Sequence, residues 1–356
     1  MSRLTICLDA RLLTRQSTGD TSYWKGLVDA LLNQATEHRI VLCSNAPRPK
    51  MIPSGAEWRL IHGSDRWWSL VSFPLFARKY GFDLAHTQYN LSPLLGRRGV
   101  TTIHDVSFLI NPGWYRAKDR YLLTSQIPKS ISRAAGVITV SETSRQEIER
   151  FVPNAKGKVF VTYNALGDNI RPLPQADVET LLKELGVPRP YLLTVGTRWP
   201  RKNTSLAVLA ASLAGKNLVV TGRSIGGADP VGPHYTGYVS DSQLTALYQG
   251  ASLYLAPSLH EGFGIPLLEA FACKCPVLVS QGGALPEIAG GAAEVADSFE
   301  PALWAETINH LCDDESKLER YRRAGLRRLQ DFSWQDTAKK TLCAYEESHA
   351  RSNQKS

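Results

Sequence analysis

Short apolar runs alternate with helically spaced apolar positions along most of this chain. Residues 4–8, 40–43, 58–61, 84–86, 100–103 and 137–140 are runs of strand length. After the first, a polar stretch, residues 16–24, reads as a loop leading into a helix with Trp24, Leu27, Val28, Leu31 and Leu32 on one face. Ser141 predicts the N-cap of another helix, supported by Glu142 or Ser144. Periodicity pauses over residues 163–190, where Pro172, Pro174, Pro188 and Pro190 surround a short helix at 177–185; this reads as a connector. The alternation then resumes, with strands at 191–195, 218–221, 253–256, 276–279 and 292–295 and helices between them, including 203–213 and 241–250. Two such blocks predict an α/β fold of two doubly wound parallel-sheet domains facing each other across a cleft. From Pro301 onward the pattern is helical; Phe332-Ser-Trp334 opens a last helix, and the polar tail from His349 reads as frayed.

The stretch Ser258-Leu-His-Glu-Gly-Phe-Gly-Ile-Pro-Leu-Leu-Glu269 organises the second block. A buried strand feeds a loop opened by Gly262 and Gly264, where backbone can approach a ligand closely. Pro266 then fits the first turn of a helix, whose free amides favour an anion. Glu261 in the loop and Glu269 in the helix can accept hydrogen bonds from hydroxyls. Together they suit a ligand carrying both phosphate and sugar. A second loop, Gly196-Thr-Arg-Trp-Pro-Arg-Lys-Asn203, places Arg198, Arg201 and Lys202 before a helix that Asn203 would cap, which suits a diphosphate. It is not a Walker loop, because Arg201 stands where a glycine must precede the lysine. Each arginine alone reads as solvated surface; as a group beyond strand ends they do not. His104 directly follows an apolar run, where ligands of parallel sheets sit, although a lone histidine there is more often an ordinary surface residue.

A formal charge of +8 and a pI near 9.1 point to an anionic partner: nucleic acid, acidic lipid headgroups or a phosphorylated substrate. No apolar run is long enough to span a bilayer. The opening residues read as a first strand, not a signal peptide, and the six cysteines lack zinc or redox spacing. Cys7, Cys43 and Cys273 read as buried thiols of a cytoplasmic protein. Residues 66–80 are aromatic and edged with cations. They read either as a surface touching a membrane or lipid-linked acceptor, or as a half-buried helix interrupted at Pro74; the internal proline favours the latter.

The Glu261–Glu269 pair, with seven residues between, resembles the signature of the retaining family 4 glycosyltransferases of GT-B fold. Thr102-Ile-His-Asp105, Val140-Ser-Glu-Thr-Ser-Arg145, Val195-Gly-Thr with Pro200-Arg-Lys-Asn203, Gly237-Tyr-Val-Ser-Asp241 and Ala284-Leu-Pro-Glu287 extend the resemblance along most of the chain. It implies an acceptor-side domain over 1–170, a nucleotide-sugar domain over 171–332, and a helix at 333–350 packing back on the first. It also implies roles. Glu269 would bind the ribose and Glu261 the transferred sugar. Amides of Gly262, Phe263, Gly264 and Ile265 would support sugar or phosphate, and loop 281–286 would lie near the diphosphate. Lys202, with Arg198 or Arg201, would neutralise the departing diphosphate beside Gly196. Tyr238 and Val239 would line the base pocket, and His104 would contact the sugar near the reacting carbon. The motif neighbourhood most resembles bacterial mannosyltransferases of polysaccharide and lipid-linked glycan synthesis, which makes GDP-mannose the first donor expected. No metal and no further cofactor is expected; the partners are the nucleotide sugar and a glycan or lipid-linked acceptor, with peripheral contact to acidic membrane. A nucleotide-sugar epimerase of the same architecture is the runner-up, and a non-catalytic basic protein binding nucleic acid or membrane is a third reading, which the two glutamates and the Arg-Lys-Asn loop oppose. One departure stands out: the family's first glycine loop commonly carries two glycines, and here Gly19 is followed by Asp20 and Thr21. That leaves open a donor role for Gly19 beyond turn formation, and whether Asp20 faces acceptor or donor.

Overall fold

A computed structural model describes residues 3–14, 19–224 and 230–354; of Gly19 and Asp20 it describes the backbone alone. The chain divides into two compact units, Met1–Ala165 with Ser333–Ser356, and Leu166–Phe332. Each is built on one wholly parallel sheet.

The first sheet comprises β1 (Thr5–Asp9), β2 (Arg39–Ser44), β3 (Glu57–Leu60), β4 (Leu84–Gln88), β5 (Gly99–Thr102), β6 (Gly136–Thr139) and β7 (Val159–Val161), in the order β3-β2-β1-β4-β5-β6-β7. Its inner strands are buried on both faces, so they read as continuous apolar runs rather than alternating ones. One face is covered by a core that includes Trp68, Phe73, Ile103, Phe108, Ile127 and Ile148. Across the molecule's middle strands, His86 on β4 is fully buried: Nδ1 shares a 2.7 Å hydrogen bond with the Tyr345 hydroxyl and Nε2 a 2.8 Å one with Thr102. Burial pushes this imidazole down to about 3, so it is neutral. Tyr345 belongs to helix Trp334–Gln354, which also packs on helix Gly19–Asn33; a Cβ on Gly26 would sit 2.2 Å from the Trp334 ring. A Cβ on Gly136 would likewise meet Ser348 Oγ at 2.0 Å. The last helix is thus part of the first unit's core.

The second sheet comprises β8 (Tyr191–Val195), β9 (Asn217–Thr221), β10 (His234–Gly237), β11 (Leu253–Ala256), β12 (Val277–Val279) and β13 (Glu294–Val295), in the order β10-β9-β8-β11-β12-β13. Leu206, Leu218, Leu255, Trp304, Ile308 and Leu318 contribute to its core.

Several expectations need correction. The helix expected to follow a loop at 16–24 already begins at Gly19, inside that polar stretch. Asn203 occupies the cap position but is left-handed (φ 50°) and makes no side-chain cap. The tail beyond His349 is helical through Gln354 rather than frayed. The strand expected over 292–295 is only Glu294–Val295. Residues 65–79 form three short helical pieces, and Pro74 sits in the first turn of the last, Phe73–Lys79, where its missing N–H costs nothing. Ser141 does cap its helix, accepting from Ser144 N at 3.0 Å.

In both sheets the winding direction reverses once, between β1 and β4 and between β8 and β11. Loops leaving the carboxyl ends of two strands at such a reversal run apart, and the crevice between them is where open α/β sheets bind ligands.

Candidate functional site

In the second unit the two loops singled out by sequence leave from the two strands of the reversal. β8 ends at Val195 and runs into Gly196, whose φ of +120° favours glycine. A Cβ on the neighbouring Gly222 would stand 2.3 Å from the Gly196 carbonyl oxygen, so the two turns pack backbone to backbone. Beyond them the loop splits its cations. Arg198 turns toward β9 and β10: its guanidinium donates to Gly222 O at 3.2 Å and lies 5.0 Å from the Tyr235 ring centre. Arg201 and Lys202, in a tight turn at Pro200–Lys202, face the loop after β11 instead.

That second loop is folded around Glu261, which is 7% exposed. Its Oε1 accepts from Ser258 Oγ at 2.7 Å and pairs with Lys202 Nζ at 2.6 Å. Its Oε2 takes Arg201 Nη1 at 3.1 Å, and the same nitrogen donates to His260 O at 3.0 Å. Leu259 N donates to Arg201 O at 2.7 Å, tying the loops together along their backbones. Burial alone would push the Glu261 carboxyl up, but the charges of Lys202 and Arg201 outweigh it and hold the group at about 2. The carboxylate is therefore charged at neutral pH and already satisfied by two cations.

A third loop closes over the second. Glu261 N donates to Gly282 O and Ala284 N to Glu261 O at 2.9 Å. A Cβ on Gly282 would fall 2.0 Å from Ser258 O, and one on Gly283 2.4 Å from Glu261 O. Gly264 then turns left-handed (φ +101°) to start helix Ile265–Ala272. At this helix start Pro266 has no amide proton and Leu267 N already bonds Gly264 O at 2.9 Å, so fewer donors remain for an anion than the sequence suggested. The Phe263 ring is buried edge-on against Phe332, 5.5 Å between centres, so its side chain serves the core.

Glu269 stands in the second turn of that helix. Burial and nearby Asp241 push its carboxyl up to about 7, against the opposing pull of the Tyr248 hydroxyl and Lys202. Tyr248 Oη donates to Glu269 Oε2 at 3.0 Å. Two acids of one motif thus titrate on opposite sides of the usual carboxylate range. Tyr238 and Val239 follow β10 at the far side of the reversal; Tyr238 is 76% exposed, with the Arg223 guanidinium 5.4 Å from its ring centre.

The structure therefore brings Lys202, Arg201, Glu261 and Glu269 into one neighbourhood beside Gly196, Gly262 and Gly264, and sends Arg198 toward Tyr235. His104 lies in the other unit, just past β5. Its Nε2 shares a 3.3 Å contact with Gln88 Oε1, the Tyr23 ring meets it edge-on at 4.8 Å, and its carbonyl accepts from Ser144 Oγ at 3.0 Å. Gly19 opens helix Gly19–Asn33, and what surrounds it and Asp20 lies outside the described residues. Sequence reasoning gave no part to Ser258, Tyr248, Gln88 or Tyr23, and reached Gly282 and Gly283 only as members of the loop 281–286 expected near the diphosphate. A Gly-Gly pair following a strand was a readable signal; a tyrosine inside an apolar helix was not, since it has the pattern of ordinary core.

Two sequence profiles match this chain: "Glycosyltransferase Family 4" over residues 20–166 and "Glycosyl transferases group 1" over residues 179–328. The O-antigen chain mannosyltransferase B of Escherichia coli is 30% identical over 333 residues, covering 88% of this chain and 84% of that protein. The chain belongs to the family 4 glycosyltransferases.

The MMP alpha-(1->4)-mannosyltransferase of Mycolicibacterium hassiacum is 38% identical over a shorter stretch of 122 residues, 33% of this glycosyltransferase and 30% of that one. Among solved structures, sucrose-phosphate synthase from Thermosynechococcus elongatus superposes with a TM-score of 0.75 at 19% identity, covering 98% of this chain and all of that one. Anabaena HepE, solved in complex with UDP-glucose, gives a TM-score of 0.68 at 16% identity, covering 96% and 100%. With its two parallel-sheet units, the glycosyltransferase has the GT-B fold. The epimerase and the non-catalytic binding protein are not favoured.

Proposed function

We propose that this glycosyltransferase moves a hexose, mannose first, from a nucleoside diphosphate sugar, GDP-mannose first, to a glycan or lipid-linked acceptor with retention and without a metal. The observation that carries this is the cluster of Lys202 and Arg201 on Glu261, with Glu269 beside it, beyond β8 and β11. Breaking a glycosyl–phosphate bond leaves positive charge on the sugar and negative charge on the diphosphate. Fixed cations at the diphosphate stabilise that separation, and losing one such contact typically costs about 3 kcal/mol of barrier. On this reading Lys202 and Arg201 exchange part of their hold on Glu261 for the diphosphate, freeing Glu261 to accept from sugar hydroxyls. Glu269 takes the ribose, the backbone at Tyr238 and Val239 the base, and His104 is the candidate group near the reacting carbon. Mannose is supported by the named activities of the two sequence relatives.

A thermal-shift screen of GDP, UDP and ADP, then of nucleotide sugars, tests the donor; no shift with any of them sinks the proposal. Lys202→Ala is expected to reduce both turnover and donor binding, and His104→Ala mainly turnover. Equal loss of fold stability in both, with binding unaffected, makes these residues structural instead.

We also propose peripheral contact with acidic membrane through the first unit. Trp67 (53% exposed), Leu70, Val71 and Leu75 point outward, while Trp68, Phe73 and Ala77 anchor the segment. Arg66 and Lys79 lie over the Trp67 and Tyr80 rings. Exposed apolar and aromatic side chains rimmed by cations suit the interface of an anionic bilayer. Among the described residues no helix is long and apolar enough to cross a membrane. Sedimentation with phosphatidylglycerol vesicles at low salt checks the contact: binding is expected, weakened in Trp67→Ser/Leu75→Ser, and its absence removes this part of the proposal.

A further inference from the structure

Tyr248 is fully buried on helix Asp241–Gly250. Its place does not depend on its hydroxyl. The helix is held by a capping box between Ser240 and Gln243. Gln249 binds the Leu173 backbone twice, accepting from its N–H at 2.7 Å and donating to its carbonyl at 3.0 Å. The Tyr248 ring packs edge-on against Tyr254, 5.5 Å between centres. What the hydroxyl adds is a single bond, to Oε2 of Glu269 at 3.0 Å. A buried phenol needs a partner, and a backbone carbonyl would have served. Here it holds one oxygen of the motif's second glutamate and leaves the other, Oε1, uncommitted by that bond.

We propose that Tyr248 is a positioning residue for the donor's ribose: it clamps one oxygen of Glu269 so that the carboxylate meets the ribose hydroxyls in a fixed orientation. The inference rests on the assignment of Glu269 to ribose made above. A carboxylate on a helix rotates about its terminal torsion unless something fixes it, and a fixed acceptor loses less entropy on binding. Charge bears on the same point. The groups facing Glu269 are Lys202, Asp241, Tyr248, Tyr254 and Cys273. Burial holds the Tyr254 phenol and the Cys273 thiol neutral. Asp241 and burial oppose the ionised carboxylate; Lys202 and the Tyr248 hydroxyl favour it. Removing the hydroxyl keeps Glu269 protonated to a higher pH and weakens a charge-assisted contact to the ribose.

The test uses the full chain, with GDP and UDP titrated separately by calorimetry from about pH 6 to about pH 9. Both carry the same ribose. Tyr248→Phe keeps the ring and is expected to bind about tenfold more weakly near neutral pH, with the midpoint of its affinity–pH curve moved upward. Glu269→Gln is expected to keep only the pH dependence that the nucleotide's own terminal phosphate contributes, the part that Glu269 adds being lost. 2′,3′-Dideoxy-GDP, which lacks the hydroxyls, should bind wild type and Tyr248→Phe alike. A Tyr248→Phe curve superimposed on that of wild type, with Glu269→Gln behaving as expected, overturns the role of Tyr248 alone. Equal weakening toward dideoxy-GDP makes Tyr248 merely structural and also overturns it. Unchanged nucleotide binding in Glu269→Gln, or no binding of either diphosphate to wild type, overturns the ribose assignment on which the inference rests.

Discussion

Glu261 and Glu269 belong to one motif, yet their surroundings pull them apart. Glu261 titrates near 2 rather than its ordinary 4.5, a difference worth on the order of 3 kcal/mol to the folded state. A lowered carboxyl stabilises above its unfolded value and loses that contribution as pH falls toward its folded one. Glu261→Gln is therefore expected to destabilise the second unit by about that amount at neutral pH and by progressively less below about pH 4. Urea unfolding across pH measures it. Glu269 runs the other way. Its folded carboxyl, at about 7, holds a proton more tightly than the unfolded one, so its contribution declines as pH rises from 4.5 through 7. Glu269→Gln should raise the melting temperature of the ligand-free protein at pH 8, leave it nearly unchanged at pH 4, and weaken nucleotide binding. A lower melting temperature at pH 8 contradicts this account. The acids and the cations around them were legible in the chain because spacing and charge mark them. Tyr248 was not, because burial decides its role and a single buried tyrosine looks like any other.

At the scale of elements, the candidate site depends on backbone packed against backbone. The loops after β11 and β12 touch at Gly282, where any side chain would strike the Ser258 carbonyl. Gly282→Ala is expected to cost about 1–3 kcal/mol and to lower turnover, since it moves the loop that carries Glu261. Denaturation midpoints and initial rates read the two effects separately. Apolar runs make most strands legible in the sequence. The misses have physical reasons. β10 is an edge strand of half-buried residues, His-Tyr-Thr-Gly, with no apolar run at all. Helix Ala117–Arg133 carries Pro128 in its interior and only three buried side chains, Ile127, Ser130 and Ile131, so its periodicity is faint. The start of helix Gly19–Asn33 is polar, and its buried Thr21 carries no apolar signal, so the pattern marks the helix only from Tyr23 and Trp24.

At the scale of the whole molecule, the alternation of strand and helix was enough to read two parallel sheets, because strands buried on both faces write themselves as uninterrupted apolar runs. Strand order and the two winding reversals could not be read, since every β–helix–β repeat looks alike in one dimension. The first unit is also where acid should act. His86 is held neutral at about 3, whereas an unfolded histidine titrates near 6.5, so its contribution is lost as pH falls between those values. Deleting residues 333–356 removes Tyr345 from His86 and Trp334 from Gly26. The truncated chain is expected to lose the first unit's cooperative unfolding while its second unit, continuous in sequence, still binds nucleoside diphosphate. Hydrogen exchange resolved by segment distinguishes the two.

The return of helix Trp334–Gln354 to the first sheet also sets an order of events on the ribosome. Residues 166–332 emerge in one piece and hold their core among themselves. The strands made first must wait, with His86 and the groove beside Gly26 uncovered, until the helix that seals them has been synthesised. The segment translated earliest is therefore the last to mature, and in that interval its exposed apolar face is where chaperones or proteases would find this chain.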